Sequence, residues 1–201
     1  MMRFSFWIAA ALLWLGGLLL PAAPATAQPG AASSLPTIAE KTEGMDRRDG
    51  YFPVYWDAQT GQLWLEIPRF TNVLYVTSLP TGLGSNPVGL DRGQLGARRV
   101  VRFERTGPTV LLVAPNLDYR ASTRNPAERA AVREAFAPGV LWDFEVAAEG
   151  PDGHVLVNAT EFVVRDAHGV ARRLKQTDQG SYALDAGRSV PFPAAVKAFP
   201  E

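Results

Sequence analysis

Cysteine is absent from all 201 residues, which excludes disulfide staples and a lipid-modified N-terminal cysteine. Histidine is nearly absent as well. Only His154 and His168 occur, fourteen residues apart, and H-E-x-x-H is missing. A zinc site needs three or four converging ligands, usually with a histidine pair one helical turn apart. His168 has Arg172 at i+4, so it is expected to hydrogen-bond locally in a first helical turn. His154 follows a turn and is expected to face solvent. No lysine lies between Lys41 and Lys175, and G-x-x-x-x-G-K-[ST] has no match, so a P-loop is excluded. Ser85 follows Gly84 but stands outside any G-x-S-x-G, which leaves no signature of a hydrolytic serine. An excess of one charge is also lacking, with 20 Lys and Arg against 20 Asp and Glu. That balance gives no electrostatic case for nucleic acid or anionic lipid as a partner.

The one long apolar run is at the start. Arg3 precedes an uncharged stretch over residues 6–20, Pro21 breaks it, and Ala25-Thr26-Ala27 places small residues where a signal peptidase reads. Fifteen residues at about 1.5 Å each span roughly 22 Å, short of a hydrocarbon core of about 30 Å. Residues 1–27 therefore read as a signal-peptide helix, with Gln28 the first mature residue. Losing Arg3 leaves a net charge of about −1 on about 174 residues, room for one domain with a real core. The expected product is exported, periplasmic or extracellular, with no membrane attachment after cleavage.

Residues 28–46 are rich in Pro, Ala, Ser and Thr and read as a flexible linker before a β-rich domain over 47–201. Residues 51–56 and 62–67 flank Asp57-Ala58-Gln59-Thr60-Gly61 as a hairpin. Leu63, Leu65 and Ile67 share one face of the second arm; Trp64 falls on the polar face, as at an interface. Residues 73–79 read as a strand buried on both faces. Residues 98–105 and 109–114 form a second hairpin around Thr106-Gly107-Pro108, and 140–149 and 154–164 a third around Gly150-Pro151-Asp152-Gly153. In the third, Val140, Trp142, Phe144 and Val146 are expected to face the core, with Asp143 and Glu145 in water.

Asn125, Pro126 and Glu128 open a helix whose apolar stripe is Val132, Ala135 and Phe136. Asp166 caps a second helix, with Arg172, Arg173 and Lys175 complementing the dipole at its C-terminal end. Residues 181–185 read as a last strand. The expected fold class is α+β, β-rich, with mostly antiparallel strands in hairpins and two short helices.

Residues 80–96 are glycine-rich but lack the third glycine of a dinucleotide turn after Gly82-Leu83-Gly84, so a structured loop packed against another part of the protein is expected. Asp91, Arg92 and Gln94 in this loop, with Asp166 and His168, are the candidate loop or domain-interface residues. An adjacent acid and base can meet a partner through paired hydrogen bonds. No catalytic residue and no metal ligand is assigned.

Several stretches resemble a known family. They are Gly50-Tyr51-Phe52-Pro53-Val54-Tyr55-Trp56, Leu65-Glu66-Ile67-Pro68, Thr81-Gly82-Leu83-Gly84-Ser85-Asn86 and Gly89-Leu90-Asp91-Arg92-Gly93-Gln94-Leu95-Gly96. Further along come Val101-Arg102-Phe103-Glu104-Arg105, Asn125-Pro126-Ala127-Glu128-Arg129 and Arg165-Asp166-Ala167-His168-Gly169-Val170. In order and spacing the chain resembles, over about residues 41–201, the N-terminal domain of unknown function of bacterial exported zinc-dependent metalloproteases of the Met-zincin type. The resemblance implies a longer protein whose H-E-x-x-H zinc helix lies far downstream, so this chain is expected to be truncated before it. It also implies a partner, the metalloprotease catalytic domain, in cis or missing. Zinc is implied only for that domain, and no cofactor for this chain. The expected role is a non-catalytic module that packs against the catalytic domain or positions its substrate. The alternative is a free-standing periplasmic binding or scaffold domain without peptidase activity.

Overall fold

A computed structural model describes residues 35–82 and 88–200. The expected signal peptide and its expected cleavage site, and residues 83–87 of the glycine-rich loop, lie outside these residues. Eight strands form one antiparallel sheet in the order β1-β2-β3-β8-β7-β6-β5-β4, and the β-rich α+β class is confirmed. The strands are β1 (Asp46–Arg48), β2 (Val54–Asp57), β3 (Gln62–Ile67), β4 (Asn72–Ser78), β5 (Leu95–Thr106), β6 (Thr109–Ala114), β7 (Gly139–Glu149) and β8 (Val155–Asn158). Among the described residues four α-helical segments accompany them: α1 (Ile38–Lys41), α2 (Pro126–Ala135), α3 (Thr160–Val163) and α4 (Val170–Gln176). Among the described residues no helix is long and apolar enough to cross a membrane.

The expected hairpins form because their turns carry the right chemistry. At the β2–β3 turn, Asp57 Oδ1 accepts from the Gln59 and Thr60 amides, and Gly61 takes φ +70°, a conformation that favours glycine. The strands then pair Trp56 with Leu63 and Val54 with Leu65. β5 and β6 pair across Gly107, with Arg105 opposite Val110 and Phe103 opposite Leu112. Val101 and Phe103 are buried while Arg102 and Glu104 reach outward, as their alternation requires.

Alternation along β3 and β8 sends side chains into two cores. Ile67, Val155 and Val157 join Val101, Phe103, Val110, Leu112, Phe144 and Val146 on one face. Trp64 and Leu156 join Ile38, Tyr55 and Ala148 on the other. Each fully buried aliphatic or aromatic side chain of this kind contributes roughly 1.5–3 kcal/mol. The first core is wrapped by the sheet itself. Phe52, beside β2, lies 5.5 Å from Phe103 of β5, although those strands are near opposite ends of the sheet order, so the sheet curls. Phe162 of α3 fills the curl against Tyr75, Trp142 and Phe144.

The structure departs from the sequence expectations at several points. Residues 38–41, expected within a flexible linker, form α1 behind a Thr37–Glu40 capping box, and buried Ile38 covers the second core. That helix buries Trp64, which was expected at an exposed interface, and sets Lys41 Nζ 4.9 Å from its ring. β4, expected to be buried on both faces, is an edge strand that exposes Leu74 and Val76. Val140 at the start of β7 is exposed, not in the core. The third hairpin's second arm ends at Asn158, where Asn158 Oδ1 accepts from the Thr160 amide and α3 begins. Residues 181–185 pair with no strand among the described residues, in which β4 and β1 are the sheet edges.

Candidate functional site

Two clefts flank α4 and share His168. Their placement begins with Asp166. Its Oδ1 accepts from the amides of Gly169 and Val170, and its Oδ2 from that of Ala171. This satisfies three of the donors a helix start leaves open and lets Gly169 enter the helix at φ +80°. Asp166 thus acts as the cap expected from the sequence.

One side of α4 presents Val170, Ala171 and Leu174 to a cleft of about 550 Å³, closed opposite by Leu79, Tyr182 and Leu184. Its floor is the end of β4. Arg165 stands at its edge, donating 2.7 Å hydrogen bonds to the Phe162 carbonyl and the Tyr75 hydroxyl. The Arg165 guanidinium also lies 4.4 Å from the Phe162 ring centroid, which fixes its position. This first cleft is apolar with a polar rim, suited to an apolar side chain or a small apolar ligand.

The other side presents Gly169, Arg172, Arg173 and Gln176 to a cleft of about 350 Å³ whose far wall is Gly89, Leu90 and Gln94. Arg173 Nε donates to the Val88 carbonyl at 2.6 Å. Buried Val88 and Leu90 anchor that wall, and Leu79 closes the loop through bonds between its amide and the Gln94 carbonyl and between the Gly93 amide and its own carbonyl. The expectation that the loop packs against another part of the protein is met, for its described residues, by α4.

His168 lies between the clefts with Nδ1 buried and, among the described residues, unpartnered, close to the hydroxyl of Thr77, which is unpartnered in the same sense. Both groups crowd Gly96, where a Cβ would overlap Thr77 Oγ1 and come within 2.9 Å of His168 Nδ1. Of the candidate residues, the fold brings Gln94 and His168 to the polar cleft, and Asp166 and His168 to the apolar one. Asp91 and Arg92 are exposed and line neither. The Asp91 amide donates to Gln94 Oε1 at 3.3 Å, so its backbone shapes the turn. Arg172 and Arg173 carry most of the polar cleft's charge, although sequence reasoning assigned them only to dipole complementation.

A separate buried cluster lies on the second core. Glu66 accepts from the Tyr55 hydroxyl at 2.7 Å and lies 2.8 Å from His154 Nδ1. Burial, then the hydrogen bond to Glu66, push the Tyr55 phenol well above its ordinary range. His154 was expected in solvent, but it closes this cluster with about 29 % of its side chain exposed. Among the described residues no group of three or more His, Asp or Glu side chains is placed to hold a metal ion.

No curated protein and no solved structure matches the chain. A family model does match, over residues 93–201, more than half of the sequence. The matched stretch includes α4, His168 and Gln94, and so reaches both clefts. By that match the chain belongs to the family described as Domain of unknown function (DUF5117).

Proposed function

We propose that this protein is the non-catalytic N-terminal module of an exported zinc-dependent metalloprotease, and that it packs against a catalytic domain or positions substrate for it. The observation that carries the packing role is the apolar surface left uncovered along residues 182–199. Tyr182, Leu184, Val190, Phe192 and Phe199 are 61, 47, 82, 71 and 69 % exposed. Scattered single apolar residues are ordinary on a surface; a run of this kind favours a partner. The peptidase connection rests on the sequence resemblance, and export on the N-terminal signal.

The alternative, a free-standing periplasmic binding or scaffold domain, draws on the apolar cleft of about 550 Å³, whose size suits a small ligand. Two measurements separate the readings. The gene downstream of codon 201 is expected to encode an H-E-x-x-H in frame; its absence there and from adjacent reading frames would remove the metalloprotease assignment. The purified protein is expected to cleave casein at the same background rate with zinc and with a chelator. Zinc-dependent cleavage would overturn the non-catalytic role.

A further inference from the structure

The polar cleft beside α4 is a concave surface with cations and carboxamides and no carboxylate among its described lining residues. Several arginines elsewhere in the molecule form ion pairs, among them Arg47 with Asp49, Arg48 with Asp46, Arg102 with Glu104, Arg105 with Glu149 and Arg188 with Asp185. Arg172 and Arg173 have no acidic partner among the described residues. The nearest acids in sequence are Asp166, whose two oxygens are engaged by the amides at the start of α4, and Asp178, which lies past the C-terminal end of that helix.

Both guanidinium groups are also seated. A Cβ at Gly89 would lie 3.0 Å from Arg173 Nη2, and a Cβ at Gly169 would lie 2.9 Å from Arg172 Nη2. Each arginine therefore folds over a glycine that leaves space for it, and Gly89 and Gly169 hold φ +68° and +80°. Arg173 is further tied by its bond to the Val88 carbonyl. Gln94 and Gln176 add neutral donors at the same surface. Arginine's planar fork suits oxyanion recognition, and little ordering is lost when it is already held.

We propose that this cleft binds an oxyanion, a phosphate or carboxylate group, between Arg172 and Arg173. The binding does not depend on the metalloprotease reading, since it requires only residues of this chain. It also does not use the helix N-terminus, which Asp166 already satisfies.

The test is a titration of the isotopically labelled purified protein with inorganic phosphate and, separately, with succinate. Ionic strength is held constant with sodium chloride, and the amide resonances of Gly89, Gly169, Arg172 and Arg173 are followed. The expected result is saturable shifts at these amides with at least one anion, and the tighter of the two identifies the source class. Arg172→Gln should weaken binding at least about fivefold, and Gln176→Glu, which adds a carboxylate to the cleft, should do the same. Arg92→Gln, outside the cleft, should leave the affinity unchanged. Both cleft positions are exposed, and an otherwise unaltered amide spectrum shows that each variant has folded. Non-saturating shifts with both anions, or equal weakening by Arg92→Gln, would overturn the proposal.

Discussion

Glu66 belongs to a strand face that looks polar in sequence, yet only 7 % of the residue is exposed. A carboxylate in that position must be hydrogen-bonded, because an unsatisfied buried charge is costly. Tyr55 and His154 supply the partners, and with Glu66 ionised the imidazole Nδ1 must be the donor. The same arrangement opposes ionisation of Tyr55, since a phenolate would be buried beside a carboxylate. The folded-state pKa is thus raised above the ordinary value of about 10. Below pH 10 the phenol is neutral in both states and this stability is fully present. Above pH 10 the unfolded chain releases the proton while the folded chain keeps it, so stability falls by up to about 1.4 kcal/mol per pH unit. The difference in unfolding free energy between the protein and Tyr55→Phe should therefore shrink as pH rises from 9 to 11. At pH 7 the variant should be less stable by about 1.5–3 kcal/mol, the contribution of a hydrogen bond to a charged group. Denaturant unfolding at each pH measures both, and a pH-independent difference would exclude the ionisation effect.

At the scale of elements, α4 matters because it separates the clefts and has only seven residues, too few to hold itself together in water. Its first turn depends on Asp166. Asp166→Ala removes the acceptor from three amides and should cost about 1–2 kcal/mol locally. The expected signature is faster hydrogen exchange at residues 169–171, with the sheet amides of β7 and β8 unchanged; unaltered exchange in the first turn would show that the cap is dispensable. This cap was legible in the sequence because it is a local pattern. So were the turns at Asp57–Gly61, Gly107 and Gly150–Gly153, whose residue types specify their backbone angles. What was not legible depends on distant segments. Trp64 is buried because α1, more than twenty residues earlier, covers that face. β4 reads as a central strand by hydrophobicity, and only the strand order makes it an edge. In the clefts, Asp166 and His168 stood out by their short-range motif. Arg172 and Arg173 did not, because the cleft they line forms only once the wall at Val88–Leu90 comes against α4.

Across the whole molecule, the stretch after α4 runs back to the opposite edge of the sheet from β4. It is held there mainly by polar contacts. Arg48 Nη1 donates to the carbonyls of Pro193 and Val196, and the Tyr51 amide donates to the Phe199 carbonyl at 2.7 Å. Gly50 provides the close approach, since a Cβ there would lie 2.7 Å from Ala198 Cβ and from the Phe199 backbone. Val190, Phe192 and Phe199 meanwhile stay exposed, so apolar burial contributes little to holding this segment. Its attachment should be much weaker than that of the sheet, whose cores are buried on both faces. Arg48→Ala removes a charged donor from two carbonyls, a loss of about 1–3 kcal/mol in the closed segment. When opening is fast relative to cleavage, proteolysis follows the open population, so trypsin should cut after Lys197, within the clasped segment, about 5- to 150-fold faster. Gly50→Val should act in the same direction by pushing the chain off its seat. The main unfolding transition should move little in either variant, because neither position belongs to the two apolar cores. Unchanged cleavage after Lys197 would mean that the segment is held by something other than this clasp.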